Sequence, residues 1–247
     1  MIRNKLSLVN NNRFFLPYLF IICGVFFGTI IDRTSYDFYN VFSEILTSVV
    51  GNIFLFASLY IIQRNIYELY FTNYNYLIRT KKYKATIRES IKDIILYSVY
   101  FYVLYVILTL SISLIMSLDG FNMTMHSAYN VNMFIYDIYI IIRNAIIFSI
   151  IISIIFSINI FNNKKIEILI LVINILFYGT TIFNNEIHHF YNLSLIPQDY
   201  LTNKVQFSNI FLDIICTSIL IIILFGMLII IFKIISKKKR DTLWKKN

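Results

Sequence analysis

Long uncharged apolar blocks constrain this chain more than any other feature. A helix rises about 1.5 Å per residue and the hydrocarbon core of a bilayer is about 30 Å thick, so about 17 to 25 apolar residues make a crossing. Six blocks approach that length: Phe14–Ile31, Ile45–Ile62, Ile94–Leu118, Asn144–Phe161, Ile166–Phe183 and Ile214–Phe232. Acidic or basic residues stand at most of their ends, among them Asp32, Arg64, Asp93, Asp119 and Lys233. Backbone in lipid must satisfy its own hydrogen bonds, and continuous apolar blocks do so as helices. The expected fold is therefore all-α: a polytopic membrane bundle of six transmembrane helices.

The composition agrees. Only 14% of the 247 residues are charged and the mean hydropathy is +0.71, whereas soluble domains carry about 25% charged residues. Disorder, collagen and a disulfide scaffold are excluded by 6 glycines, 2 prolines and 2 cysteines against 58% hydrophobic residues. The first block begins too late and runs too long for a cleaved signal peptide, whose apolar region spans about 7 to 15 residues.

Charge orients the spans. Arg3, Lys5 and Arg13 precede the first block without an acid, and Arg64–Asp93 holds seven basic residues against three acidic. The tail carries Lys233, Lys237, Lys238, Lys239, Arg240, Lys245 and Lys246 against Asp241. The intervening loops, Asp32–Glu44, Asp119–Asp137 and Glu186–Lys204, are each net acidic. The positive-inside rule then places both termini in the cytoplasm, so the formal charge of +9 is an orientation signal. It is not a nucleic-acid footprint, which needs a water-facing basic domain. The basic tail also suits anionic lipid headgroups.

The organisation that follows is one transmembrane domain over residues 1–247. Residues 1–13 form an amphipathic interfacial segment, with Ile2, Leu6 and Val9 on one face. Residues 14–236 form the bundle, and residues 237–247 form a basic cytoplasmic tail. Between the fifth and sixth spans, Asn184–Asp213 is too apolar around Pro197 for a free loop, and reads as short helices dipping into the outer leaflet.

Catalytic chemistry has little to stand on. No glycine pair has Walker A spacing, so the chain does not bind ATP in that way by itself. Cys23 and Cys216 lie within apolar blocks, where a thiol acts as a small hydrophobe. Glu186, His188 and His189 form the one metal-like cluster, but adjacent histidines on a helix point apart; loop histidines fit better, and His126 stands alone. No cofactor or metal is expected.

Other positions suit contacts. Gly24 and Gly28 form a G-x-x-x-G that lets another helix approach closely, and Ser149, Ser153 and Ser157 repeat every four residues. Both fit internal packing or a contact between chains. Arg143 stands either within the bundle facing a partner or at the outer interface, with residues 133–142 as a surface or re-entrant segment; the latter follows because Asn144–Phe161 can span alone. The basic stretch around Tyr83, Lys84, Arg88 and Glu89 has helical spacing. It is either a docking helix for a partner or a solvated continuation of the third span.

Taken together, an amphipathic start, six spans with both ends inside, a basic helix between spans two and three and an apolar outer segment before span six resemble the membrane (permease) subunit of type-2 ATP-binding-cassette exporters, of the small bacterial six-span kind. The likeness is one of topology and covers nearly the whole chain. It implies a non-enzymatic subunit in the bacterial cytoplasmic membrane that pairs with a second permease chain, the same or homologous. A separate ATP-binding-cassette ATPase would dock at a coupling helix containing Tyr83, Lys84, Arg88 and Glu89. The Gly24 and Gly28 face would offer a dimer seam, and a peptide-, lipid- or drug-like substrate would be exported. The alternative class is a stand-alone immunity or sensor protein that binds a peptide or protein partner without transport. A secondary carrier, which needs broken helices and buried ionisable groups, has no visible support in the span cores.

Overall fold

The computed structural model describes residues 14–32, 37–72, 83–117, 131–160 and 210–243. The described residues are helical and contain no β-strand. In chain order the helices are α1 (Phe15–Asp32), α2 (Phe38–Thr47), α3 (Val49–Tyr67), α4 (Tyr83–Met116), α5 (Met133–Ile160) and α6 (Ile210–Leu243). A π-helical turn over Glu68–Thr72 extends α3. The segment 1–13, the fifth apolar block, the histidines at 126, 188 and 189, and nearly all of 184–213 lie outside the described residues.

Among the described residues, three helices are long and apolar enough to cross a membrane: Thr86–Met116 within α4, Phe134–Ile160 within α5 and Thr217–Ile235 within α6. The chain is a membrane protein. Its surface has the matching character, because large apolar side chains face outward along the helices: Phe15, Leu19, Ile22 and Phe26 on α1, Leu96, Val103, Ile107 and Leu114 on α4, Ile215, Ile222 and Ile230 on α6. The opposite stripe of α4 is buried and partly polar, with Ser98, Phe101, Tyr102, Tyr105, Thr109 and Ser113 recurring at helical spacing. In water this arrangement would cost free energy at both surfaces; in lipid the exposed apolar stripe is free and the polar stripe needs partners.

The second apolar block is not one unbroken helix. It divides at Ser48, whose φ of −50° and ψ of 126° end α2 and begin α3. The Ser48 hydroxyl accepts the Gly51 amide at 3.0 Å, as an N-cap does. The free end of α2 is tied off in turn: the Ile45 carbonyl accepts the Tyr105 hydroxyl at 3.0 Å, and Asn52 donates to the Leu46 and Ser48 carbonyls at 3.4 and 2.8 Å. A helix break inside an apolar environment leaves orphan carbonyls, and two side chains from α3 and α4 satisfy them here. At its other end α2 is capped by Asp37, which accepts the Tyr39 amide.

α1 packs on α3 through small residues. A Cβ added to Gly24 would stand 2.8 Å from Phe54 Cβ and 3.1 Å from the Gly51 carbonyl, and one on Gly28 would stand 2.9 Å from Ser48 Oγ. On α3, a Cβ at Gly51 would reach the Gly24 carbonyl at 3.3 Å and collide with the Tyr105 hydroxyl. Helix backbones thus touch where side chains are absent. Ser58 closes the same contact by donating to the Pro17 carbonyl at 3.0 Å. Pro17 itself costs nothing in the first turn of α1, where its missing N–H would have had no partner.

Antiparallel α3 and α4 are held at two levels. At one end the Tyr70 hydroxyl donates to the Asp93 carboxylate; at the other, Tyr105 reaches α2 and crowds Gly51. α5 packs against both, with Phe156 against Tyr67 and Phe71, and Phe148 6.0 Å from Tyr102 between ring centroids. α6 leans on α5, where Tyr139 and Thr217 share a 3.3 Å hydroxyl contact, and otherwise exposes most of its length.

Candidate polar site inside the helix bundle

The interior where α2, α3, α4 and α5 meet is more polar than the apolar blocks suggest. Ser43 on α2 donates to the Asp137 carboxylate on α5, and Asp137 is only 3% exposed. Glu44, the next residue on α2, is buried as well. Both acids fall in segments read from sequence as outer loops; instead they sit on helices and face inward. The view that the helix cores lack buried acids is corrected accordingly, and the physical reason is local. Asp137 lies one turn into a helix that starts at Met133, and α2 turns its polar side toward that turn.

Arg143 receives the same correction. α5 is one unbroken helix from Met133 to Ile160, so residues 133–142 are not a separate surface or re-entrant segment. Ten residues of helical rise put Arg143 about 15 Å along α5, and its side chain is 4% exposed. An apolar stretch long enough to span by itself does not oblige a helix to begin there; the chain accepts the charge inside because neighbouring helices shield it from lipid.

One residue further, Asn144 is fully buried. Tyr102 on α4 stands beside it, and Arg143 is near enough to act on the Tyr102 hydroxyl electrostatically. Both side-chain amide atoms of Asn144 and the Tyr102 hydroxyl lack a well-formed hydrogen bond. The same holds for Asn52 Oδ1, both side-chain amide atoms of Gln63 and Ser98 Oγ, all on buried residues of α3 and α4. Left dry, each such group costs about 1–3 kcal/mol, and a fold is typically stable by only about 5–15 kcal/mol. The serines of the small-residue stripe differ. Ser149, Ser153 and Ser157 each donate to the carbonyl four residues before, at 2.6 to 2.7 Å, and so need no outside partner.

The other positions singled out in the sequence separate cleanly. Gly24 and Gly28 take the internal-packing role: Phe54 and Gly51 of α3 crowd Gly24, and Ser48 and Ile45 lie against Gly28. Tyr83 and Lys84 begin α4, Arg88 is exposed and Glu89 is half-buried. Thr86, Ile87 and Ser90 anchor that turn in the bundle. The basic stretch is therefore the first part of α4 itself, continuous with the span, and not a helix set apart from it. Among the described residues no group of three or more His, Cys, Asp or Glu side chains is placed to hold a metal ion.

Sequence reading missed Glu44, Asn52, Gln63, Tyr102, Tyr136, Asp137 and Asn144 as interior polar residues. A signal was present for some of them. Asp137 and Asn144 are seven apart, as are Tyr136 and Arg143, and Ser98 and Tyr105; two helical turns put each pair on one face. Compared with protein families, with curated proteins and with solved structures, the chain matches none.

Proposed function

We propose that the chain is the permease subunit of an ATP-binding-cassette exporter, working in the bacterial cell membrane as a six-span protein with both termini in the cytoplasm. A separate ATPase hydrolyses ATP, a second permease chain completes the path, and a peptide-, lipid- or drug-like molecule is moved. One observation carries this reading. α4 runs without a break from the exposed Arg88 to Tyr102 and Tyr105 in the polar interior. Fourteen residues separate Arg88 from Tyr102, about 21 Å of continuous helix. A partner pressing on the basic end of α4 moves the polar face of the bundle with it, because a helix transmits displacement along its axis. That is the mechanical link that alternating access requires, with ATP binding in the partner shifting the population between two arrangements of the helices.

The test is affinity purification of the tagged chain from its own host in mild detergent, followed by mass spectrometry. A stoichiometric P-loop ATPase is expected, and it should be lost from the paired variant Tyr83→Ala, Arg88→Ala while membrane insertion is unchanged. A preparation that contains this chain alone across several detergents overturns the exporter reading in favour of a stand-alone immunity or sensor protein. An ATPase retained by the paired variant moves the docking surface elsewhere.

A further inference from the structure

We infer that the seam between α3, α4 and α5 is a water-filled polar path, lined by Asn52, Gln63, Ser98, Tyr102 and Asn144. The inference does not depend on an ATPase partner. Each of the three helices contributes a buried side chain whose polar atoms the protein leaves incompletely satisfied: Asn52 Oδ1 and both side-chain amide atoms of Gln63 from α3, Ser98 Oγ from α4, and the Tyr102–Asn144 pair of α4 and α5, whose groups stand side by side without a well-formed hydrogen bond. Exposure of these five is at most 1%, so bulk solvent at the surface does not serve them. Buried amides and hydroxyls without protein partners are the groups that internal water bridges.

Their positions form a column and not a scatter. Asn52 and Gln63 are eleven residues apart on one face of α3, a separation of about 16 Å. The ties at Tyr70–Asp93 and at Tyr105 fix the antiparallel register of α3 against α4. Interpolation between those ties sets Asn52 near the level of Tyr105 and Gln63 near the level of Ser98. Tyr102 and Asn144 face each other between these levels. Asp137 with Ser43 closes one end of the column, and Glu44 and Arg143 are buried in the same region. A row of neutral donors and acceptors leading to a cluster of charged groups is a lining that water and small hydrogen-bonding solutes can follow, whereas a structural polar network would satisfy its own members.

The experiment uses the full chain with Cys23→Ala and Cys216→Ala, reconstituted in vesicles. Single cysteines are introduced by Asn144→Cys and Gln63→Cys, with Ile21→Cys as control; Ile21 is fully buried and belongs to α1, which is not one of the three seam helices. A small water-soluble thiosulfonate is the probe. Asn144→Cys and Gln63→Cys are expected to react at least about tenfold faster than Ile21→Cys, as a wet site requires. Rates no faster than that of Ile21→Cys overturn the inference. Thermal unfolding of Gln63→Leu and Ser98→Ala gives a second reading that does not depend on tolerance of cysteine. If the seam is wet, removing these groups strips hydrogen bonds to water and lowers the unfolding midpoint or leaves it in place. If the seam is dry, removing orphan groups raises the midpoint, and that result also overturns the inference.

Discussion

α3 has two faces that solve opposite problems. Toward α1 it presents Gly51 and Ser48, and the helices meet through backbone and Cβ atoms at Gly24 and Gly28. Toward α4 and α5 it presents Asn52 and Gln63, whose polar atoms find few protein partners. The first contact draws its stability from close packing, the means left to helices when lipid is as apolar as their side chains. The second gives up packing quality to keep polar groups in the interior, which is reasonable only where something polar occupies the seam. Small residues seal, and polar residues keep a route open, on the same nineteen-residue helix.

Substitutions can break or sharpen this contrast. The largest effect is expected from Gly24→Leu: with Phe54 Cβ and the Gly51 carbonyl already crowding the place a Cβ would take, overpacking costs about 3 kcal/mol or more, read as a large drop in thermal midpoint or loss of monodisperse protein. Ser43→Ala comes next. It removes the donor to the buried Asp137 carboxylate and costs about 1–3 kcal/mol, whereas the double variant Ser43→Ala, Asp137→Ala should recover part of that loss, since no unsatisfied carboxylate remains. Ser48→Ala deletes the cap at the start of α3 and costs about 1 kcal/mol, measured by chemical unfolding in detergent. The smallest effect has the reverse sign. A Cβ added to Gly226 on α6 would meet nothing within 4 Å, so Gly226→Ala should stabilise α6 by about 0.5–1 kcal/mol through helix propensity. If Gly24→Leu were as harmless as Gly226→Ala, the sealed face of α3 would not exist.

Much of the fold was legible in the amino-acid sequence, and the legible part shares one cause. Helix α6 follows the sixth apolar block and overruns it into Lys233 and the basic residues beyond. The end of α1 at Asp32 also follows the apolar run. Hydropathy reads such segments well because lipid contact acts on every residue of a helix at once. It reads poorly where neighbours shield a side chain. Asp137 and Arg143 looked like loop or interface residues because each is expensive in lipid; packed against α2, α3 and α4, neither faces it. The break at Ser48 was equally hidden, since Ser-Val-Val-Gly inside an apolar run has no proline and carries a stop only through the cap that Ser48 makes with Gly51.

By itself, the sequence determined that this is an all-helical membrane protein, that its glycines allow close helix contact and that charge is kept to the ends of the apolar blocks. Those are properties summed along a chain, and composition and spacing are enough to set them. Tertiary structure alone decided that Gly24 and Gly28 face α3 of the same molecule, that α4 is continuous from its basic start, and that Asn52, Gln63, Tyr102 and Asn144 share one buried seam. Each of those depends on which helix lies beside which, and residues far apart in sequence meet only once the helices have packed.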